Sequence, residues 1–204
     1  IQELQVISGT FNAEYGKALT GVVNMVTKDG GDNFEGFINF YSGDHTTSDT
    51  LFPNLNSYSF NNDYSLSANV SGPIIPGFIT FYSSGRINQS DGWLNGLNTF
   101  TMYGDTIFHD YNNNHYRDTN EPIKDPHYQS LNWHDSWSTQ NKITFRLRST
   151  TRLKINTILN SGTSQGYNHN RQMTHDGRKN NYDEGAFIGM NFSHSFSPLS
   201  FVDI

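Results

Sequence analysis

The sequence predicts an all-β fold: roughly the first seven strands of a transmembrane antiparallel β-barrel, preceded by a separate N-terminal segment. Three observations predict it. Apolar and polar residues alternate in runs of about ten residues, the period of a strand with one greasy face. The connections between runs are alternately long and short. Hydrophobic residues make up 34% and aromatics 14%, with 15 Phe and 11 Tyr, whereas soluble domains carry about 45–50% apolar residues. Such a chain suits one-sided strands and is poorly supplied for a closed dry core.

Taken in order, weak alternation marks a strand over 33–43. The next runs over 62–72, where Tyr64, Leu66, Ala68 and Val70 alternate with Ser65, Ser67, Asn69 and Ser71. Further runs cover 78–88, 141–149, 153–162 and 184–196, and a new one begins at 201–204. Polar connections over 44–61, 89–140 and 163–183 are long; the links at 73–77, 150–151 and 197–200 are short. Outer-membrane barrels show this parity, with long loops outside and tight turns on the periplasmic side. A soluble sandwich or propeller also has alternating strands. It does not explain the parity, nor a second face carrying Ser, Asn, Arg146, Arg148 and Lys154, which a water-filled lumen accommodates.

Bulk properties exclude several classes. A net charge of −6 argues against nucleic acid, which demands clustered cations. Without cysteine there is neither disulfide nor thiolate metal site. No run approaches the roughly 18 consecutive apolar residues of a membrane helix. The N-terminus, Ile1-Gln2-Glu3-Leu4, has no initiator Met, basic start or apolar signal core. The expectation is a fragment that begins inside a domain.

Residues 1–30 read differently. Ile1 to Ile7 forms a short strand, Ser8 to Gly16 a glycine-punctuated loop, and Gly21-Val22-Val23-Asn24-Met25-Val26-Thr27-Lys28 a second strand, apolar enough for burial on both faces. Asp29-Gly30-Gly31-Asp32-Asn33 then reads as a flexible, turn-prone hinge. Ile1, Glu3, Leu4 and Val6, then Ala13, Tyr15 and Gly16, then Gly21, Val22, Val23, Asn24, Met25, Thr27 and Lys28 fall in order on three motif blocks. In them the chain resembles the C-terminal end of the plug domain of TonB-dependent outer-membrane transporters, most closely the large Bacteroidota-type receptors. The resemblance covers about thirty residues and makes 1–30 the end of a plug and 31–204 the start of a barrel. Asn24 and Thr27 are read either as polar contacts from plug to wall or as ordinary strand-end hydrogen bonding; Gly16 and Gly21 serve backbone geometry.

The resemblance implies a parent barrel of about 22 strands with a plugged lumen, in the outer membrane of a Gram-negative bacterium. It implies uptake of a scarce nutrient such as a siderophore, cobalamin, glycan or peptide, energised by the inner-membrane TonB complex through a segment outside this sequence. Its expected partners are the remainder of its own barrel and plug, outer-membrane lipid and a surface substrate-binding lipoprotein. One alternative keeps the scaffold without active import, as a surface anchor, adhesin or secretion accessory. The other is a secreted soluble calcium-binding β-module.

The longest connection holds one chemical motif. Asp110, Asn112, Asn114, Asp118 and Glu121 place side-chain oxygens at positions 1, 3, 5, 9 and 12, with the Tyr116 carbonyl at 7. This is the ligand spacing of a calcium loop. His115 stands where such loops carry Gly, and an Asn-rich surface loop is the plain alternative. A bound Ca2+ here is expected to be structural. His109, His115, His127, His134, His169 and His175 show no ligand spacing. Trp93, Trp133, Trp137, Tyr103 and Tyr128 are read either as stacking surfaces for sugars and other flat ligands or as loop packing and membrane-interface anchors. No nucleophile elbow, phosphate loop or zinc-protease motif appears, and the chain is not expected to be an enzyme.

Overall fold

The structure is a computed structural model describing residues 3–8, 21–101, 121–173 and 177–204. These residues are almost entirely extended, apart from one 3-10 turn at His169–Arg171. First come β1 (Glu3–Ser8) and β2 (Gly21–Val26), an antiparallel pair running from Glu3↔Val26 to Ser8↔Gly21. The second strand ends at Val26, so Thr27 and Lys28 lie outside it.

Then follow β3 (Glu35–Gly43), β4 (Asp63–Ile75) and β5 (Ile79–Ser90). A separate hairpin of β6 (Asn95–Thr101) and β7 (Glu121–Ser130) intervenes before β8 (Trp133–Arg148), β9 (Thr151–Gln165), β10 (Asn180–Ser197) and β11 (Ser200–Asp203). The spatial order is β11-β10-β9-β8-β5-β4-β3, one seven-stranded antiparallel sheet that is not closed. It is a meander in which the β6–β7 hairpin is the sole excursion among the described residues.

Two differences from the expected spans share a cause. β8 begins at Trp133, not at 141, and β6, β7 and the first half of β8 occupy the expected 89–140 connection. His134, Asp135, Ser136, Ser138 and Gln140 have no apolar period. Their strand is held by ladders on both sides, Ser90↔His134 to β5 and Trp133↔Gln165 to β9. β7 carries Pro122 and Pro126, which lack an N–H; a two-stranded hairpin tolerates them because each strand keeps an open edge.

The short links are tight turns. Ile75-Pro76-Gly77-Phe78 closes with Phe78 N donating to Ile75 O at 3.0 Å, and Gly77 has φ 76°. Pro at the second position and a positive-φ Gly at the third define a type II turn. Pro73 and Ile74, expected in the link, continue β4 across a bulge.

Cross-strand partners share a face, so the register sorts the sheet. One face carries Ile38 and Phe40 on β3, Leu66 and Val70 on β4, and Phe81 and Ile87 on β5. It continues through Trp137, Ile143 and Phe145 on β8, Leu153, Ile155 and Leu159 on β9, and Ile188, Met190 and Phe192 on β10. This apolar face is uncovered: Ile38 and Ile188 are each 74% exposed. The other face carries mainly Ser, Thr, Asn, Gln, Lys and Arg, with Phe37, Tyr41, Pro73, Tyr82, Ile158, Phe187 and Phe201 among its less polar members. Among the described residues the only buried hydrophobics are Leu55, Tyr82 and Leu131. The ladders, not a core, organise this wall.

Candidate functional site

Two assemblies stand out, at opposite ends of the sheet. Near the short-turn end, the segment between β2 and β3 lies on the polar face. Lys142, on β8, is 5% exposed. Its Nζ donates to Asp29 Oδ1 at 2.7 Å and to the Thr27 carbonyl at 2.9 Å. Lys154, on β9, donates to Asp29 Oδ2 at 2.7 Å, and Arg146 donates to Asp32 Oδ1 at 2.6 Å. The first two are neighbours because Lys142 pairs with Asn156, two residues along β9 from Lys154 on the same face. Burial pushes the Asp29 carboxyl up, but the hydrogen bonds and charges of Lys142 and Lys154 outweigh it and hold the pKa below the ordinary aspartate value. Gly30 lies flat on β5: a β-carbon there would come within 2.6 Å of the Phe81 nitrogen and 2.7 Å of its carbonyl carbon. The expected flexible hinge is therefore pinned to the wall at three points.

At the other end, where the long connections leave, a cleft of about 630 Å³ opens. Asn62, Asp91, Trp133, Asp135, Gln165 and Asn180 line it from the ends of β4, β5, β8, β9 and β10. The β6–β7 hairpin adds Asn95, Asn98, Tyr128 and Gln129. Leu131 N donates to Leu94 O at 2.7 Å at the foot of that hairpin. Arg178, 7% exposed, closes the floor with Nη2 on the Ser130 carbonyl at 3.0 Å and Nη1 on the Leu131 carbonyl. Burial lowers the Arg178 pKa. Burial, with the like charges of Asp135 and Asp63, raises that of Asp91, partly offset by a hydrogen bond from Gln89.

The connection over 44–62 is ordered around Asp44, which accepts from Ser59 N at 2.6 Å, Asn62 Nδ2 at 2.8 Å and His45 N at 2.8 Å. These bonds place Asn62 at the cleft and, with Asn54 at φ 63°, shape its wall.

The expected site residues fare unequally. Ala13, Tyr15 and Gly16 lie outside the described residues, as do Asp110, Asn112, Asn114, Tyr116 and Asp118. Glu121 begins β7, opposite Thr101. Gly21 and Asn24 stand in β2 opposite Ser8 and Gln5. Thr27 meets the sheet through its carbonyl, and Lys28 is exposed. No cluster of three metal-ligating side chains occurs among the described residues. His127, His134 and His169 hydrogen-bond locally to Gln129, Ser136 and Tyr167; His109, His115 and His175 lie outside the described residues. The aromatics separate by role. Trp133 and Tyr128 line the cleft, Trp93 packs edge-on against Phe52 at 5.8 Å, and Trp137 stands on the apolar face. Tyr103 lies outside the described residues.

Neither Lys142 with Asp29 nor the cleft is legible from spacing. The cleft's one sequence signal is the density of Asn, Gln and Asp flanking the long connections. No family model, curated protein or solved structure matches this chain.

Proposed function

We propose that the chain is the end of a plug and the first wall strands of a TonB-dependent outer-membrane transporter that imports a scarce nutrient such as a siderophore, cobalamin, glycan or peptide. The observation that carries this reading is the two-sidedness of the seven-stranded sheet: an uncovered apolar face and a polar face bearing the ion-paired incoming segment. Aromatic side chains bracket the apolar face. Tyr64, Trp137 and Tyr182 lie toward the long connections; Phe81, Phe145 and Phe192 lie toward the short turns. Trp137 and Phe145 are about 25 Å apart along β8 at ~3.3 Å per residue, the height of a lipid-facing band with aromatic girdles. In this reading the apolar face meets lipid and the polar face lines a lumen. The segment over 27–33 carries the chain from plug to wall at the periplasmic rim, where Lys142, Arg146 and Lys154 hold it. Uptake is driven by the inner-membrane TonB complex, and a surface lipoprotein hands over substrate.

The test uses the full-length protein in its own outer membrane. Accumulation of a labelled nutrient panel is expected to stop when the proton gradient is collapsed or the coupling complex deleted. Surface binding that persists with no accumulation under any condition supports the anchor or adhesin reading instead. The Asp110–Glu121 stretch is proposed as a structural calcium loop. Adding calcium to chelated protein should then raise its melting temperature and slow proteolysis of that loop; no change in either removes the ion from the reading.

A further inference from the structure

We infer that the cleft at the long-connection end is a saccharide site for a neutral or cationic oligosaccharide, opening on the same side of the wall as the apolar face. The inference stands on the cleft alone and goes beyond import. Its lining is almost all amide, carboxylate and aromatic, with no aliphatic side chain. An amide donates and accepts at once, as a sugar hydroxyl does. Trp133 and Tyr128 bring flat apolar faces with polar tips, matching the C–H faces and hydroxyl rims of pyranose rings. A volume of about 630 Å³ falls within the usual 300–1,000 Å³ of ligand sites.

Charge narrows the class. Asp91 and Asp135 line the cleft with Asp63 close by, and each repels an anion. Arg178 is the one cation in that lining; its terminal nitrogens are held by the Ser130 and Leu131 carbonyls, and its single positive charge is outnumbered by the two lining carboxylates. A peptide draws affinity from pockets for its side chains or from strand addition, and no aliphatic lining is present to receive them. Position narrows the source. Trp133, Asp135, Gln165 and Asn180 continue the register positions of Trp137 and Leu159, so they lie on the apolar side. Either a free oligosaccharide or the sugar head group of a lipid standing against that face reaches the cleft.

The test takes the full-length protein in phosphatidylcholine nanodiscs. One arm titrates neutral malto-, cello-, xylo- and chito-hexaose by calorimetry. The other adds a neutral diglucosyl lipid and reads its retention by native mass spectrometry. At least one probe is expected to bind saturably. Trp133→Ala and Asn95→Ala should each weaken it by about tenfold, Trp133→Phe by less than about threefold, and a phosphorylated analogue should bind at least about tenfold worse than its neutral parent. Unchanged melting curves separate these effects from misfolding. Binding in the first arm alone identifies a free sugar, in the second alone a lipid head group. No saturable binding in either arm, equal binding of the anionic analogue, or binding indifferent to both Trp133→Ala and Asn95→Ala overturns the proposal. None of these readouts depends on energised uptake.

Discussion

Asp29 joins two strands through one carboxylate. With Asp29→Asn the buried Lys142 ammonium keeps only a carbonyl and an amide, and an uncompensated buried cation is costly. Because Asp29 itself is 39% exposed, solvent screening reduces the loss to about 1–2 kcal/mol. The Asp32–Arg146 pair, whose aspartate is 68% exposed, should cost under about 1 kcal/mol when broken. Chemical unfolding of the two variants side by side checks that order. The sign with pH follows from the lowered carboxyl. Its contribution is complete above the ordinary aspartate value, near about pH 4, and fades as pH falls through the lower folded value. The stability gap between the native chain and Asp29→Asn should therefore close on acidification; a gap that widens below pH 4 refutes the assignment. Gly30→Ala should cost about 1–3 kcal/mol, since the β5 backbone at Phe81 has no room to yield. On the apolar face, Ser83, Asn141 and Thr157 sit mid-sheet yet satisfy one another, with Ser83 Oγ on Asn141 Oδ1 at 2.6 Å and Asn141 Nδ2 on Thr157 Oγ1 at 3.4 Å. Mutual bonding limits the cost of placing polar groups on an otherwise apolar face.

At the scale of the element, the strands most readable in the sequence are those whose faces differ most. On β9, Leu153, Ile155, Thr157 and Leu159 alternate with Arg152, Lys154, Asn156 and Ile158, and the expected 153–162 strand lies within the observed Thr151–Gln165. The start of β8 was not readable because period two is visible only where one face meets a non-aqueous phase. From Trp133 to Gln140 the only apolar side chains are Trp133 and Trp137, four residues apart and too sparse to show the period, and pairing with β5 and β9 makes the strand. The β6–β7 hairpin was hidden by its prolines for the same lack of pattern. The two faces also make a prediction about strands. Ile155→Arg, on the apolar face, should lower stability in a bilayer by about 2–4 kcal/mol, whereas Asn39→Arg, exposed on the polar face of β3 opposite Ser67, should change it by less than about 1 kcal/mol. Equal effects at the two positions, measured by refolding into lipid vesicles, contradict a lipid-facing assignment of the apolar side.

For the molecule as a whole, an open sheet with one greasy side creates two needs. The edges at β3 and β11 present unpaired backbone groups, which invite further strands. The uncovered Ile38, Ile188 and Met190 call for an apolar phase. Full-length protein should therefore partition with outer-membrane fractions and demand detergent; ready solubility in plain buffer would instead favour the secreted module. Alternation and loop parity are local properties of the chain, since a pleat sends neighbouring side chains to opposite faces whatever lies beyond them. They were enough to determine the all-β class, the greasy and wet faces, and most of the seven main strands. Which residues meet is another matter. Lys142 reaches Asp29 across 113 positions of sequence, and the cleft draws on the ends of five strands and a hairpin. Those meetings depend on register and on where the chain crosses the sheet, and only the folded geometry decides either.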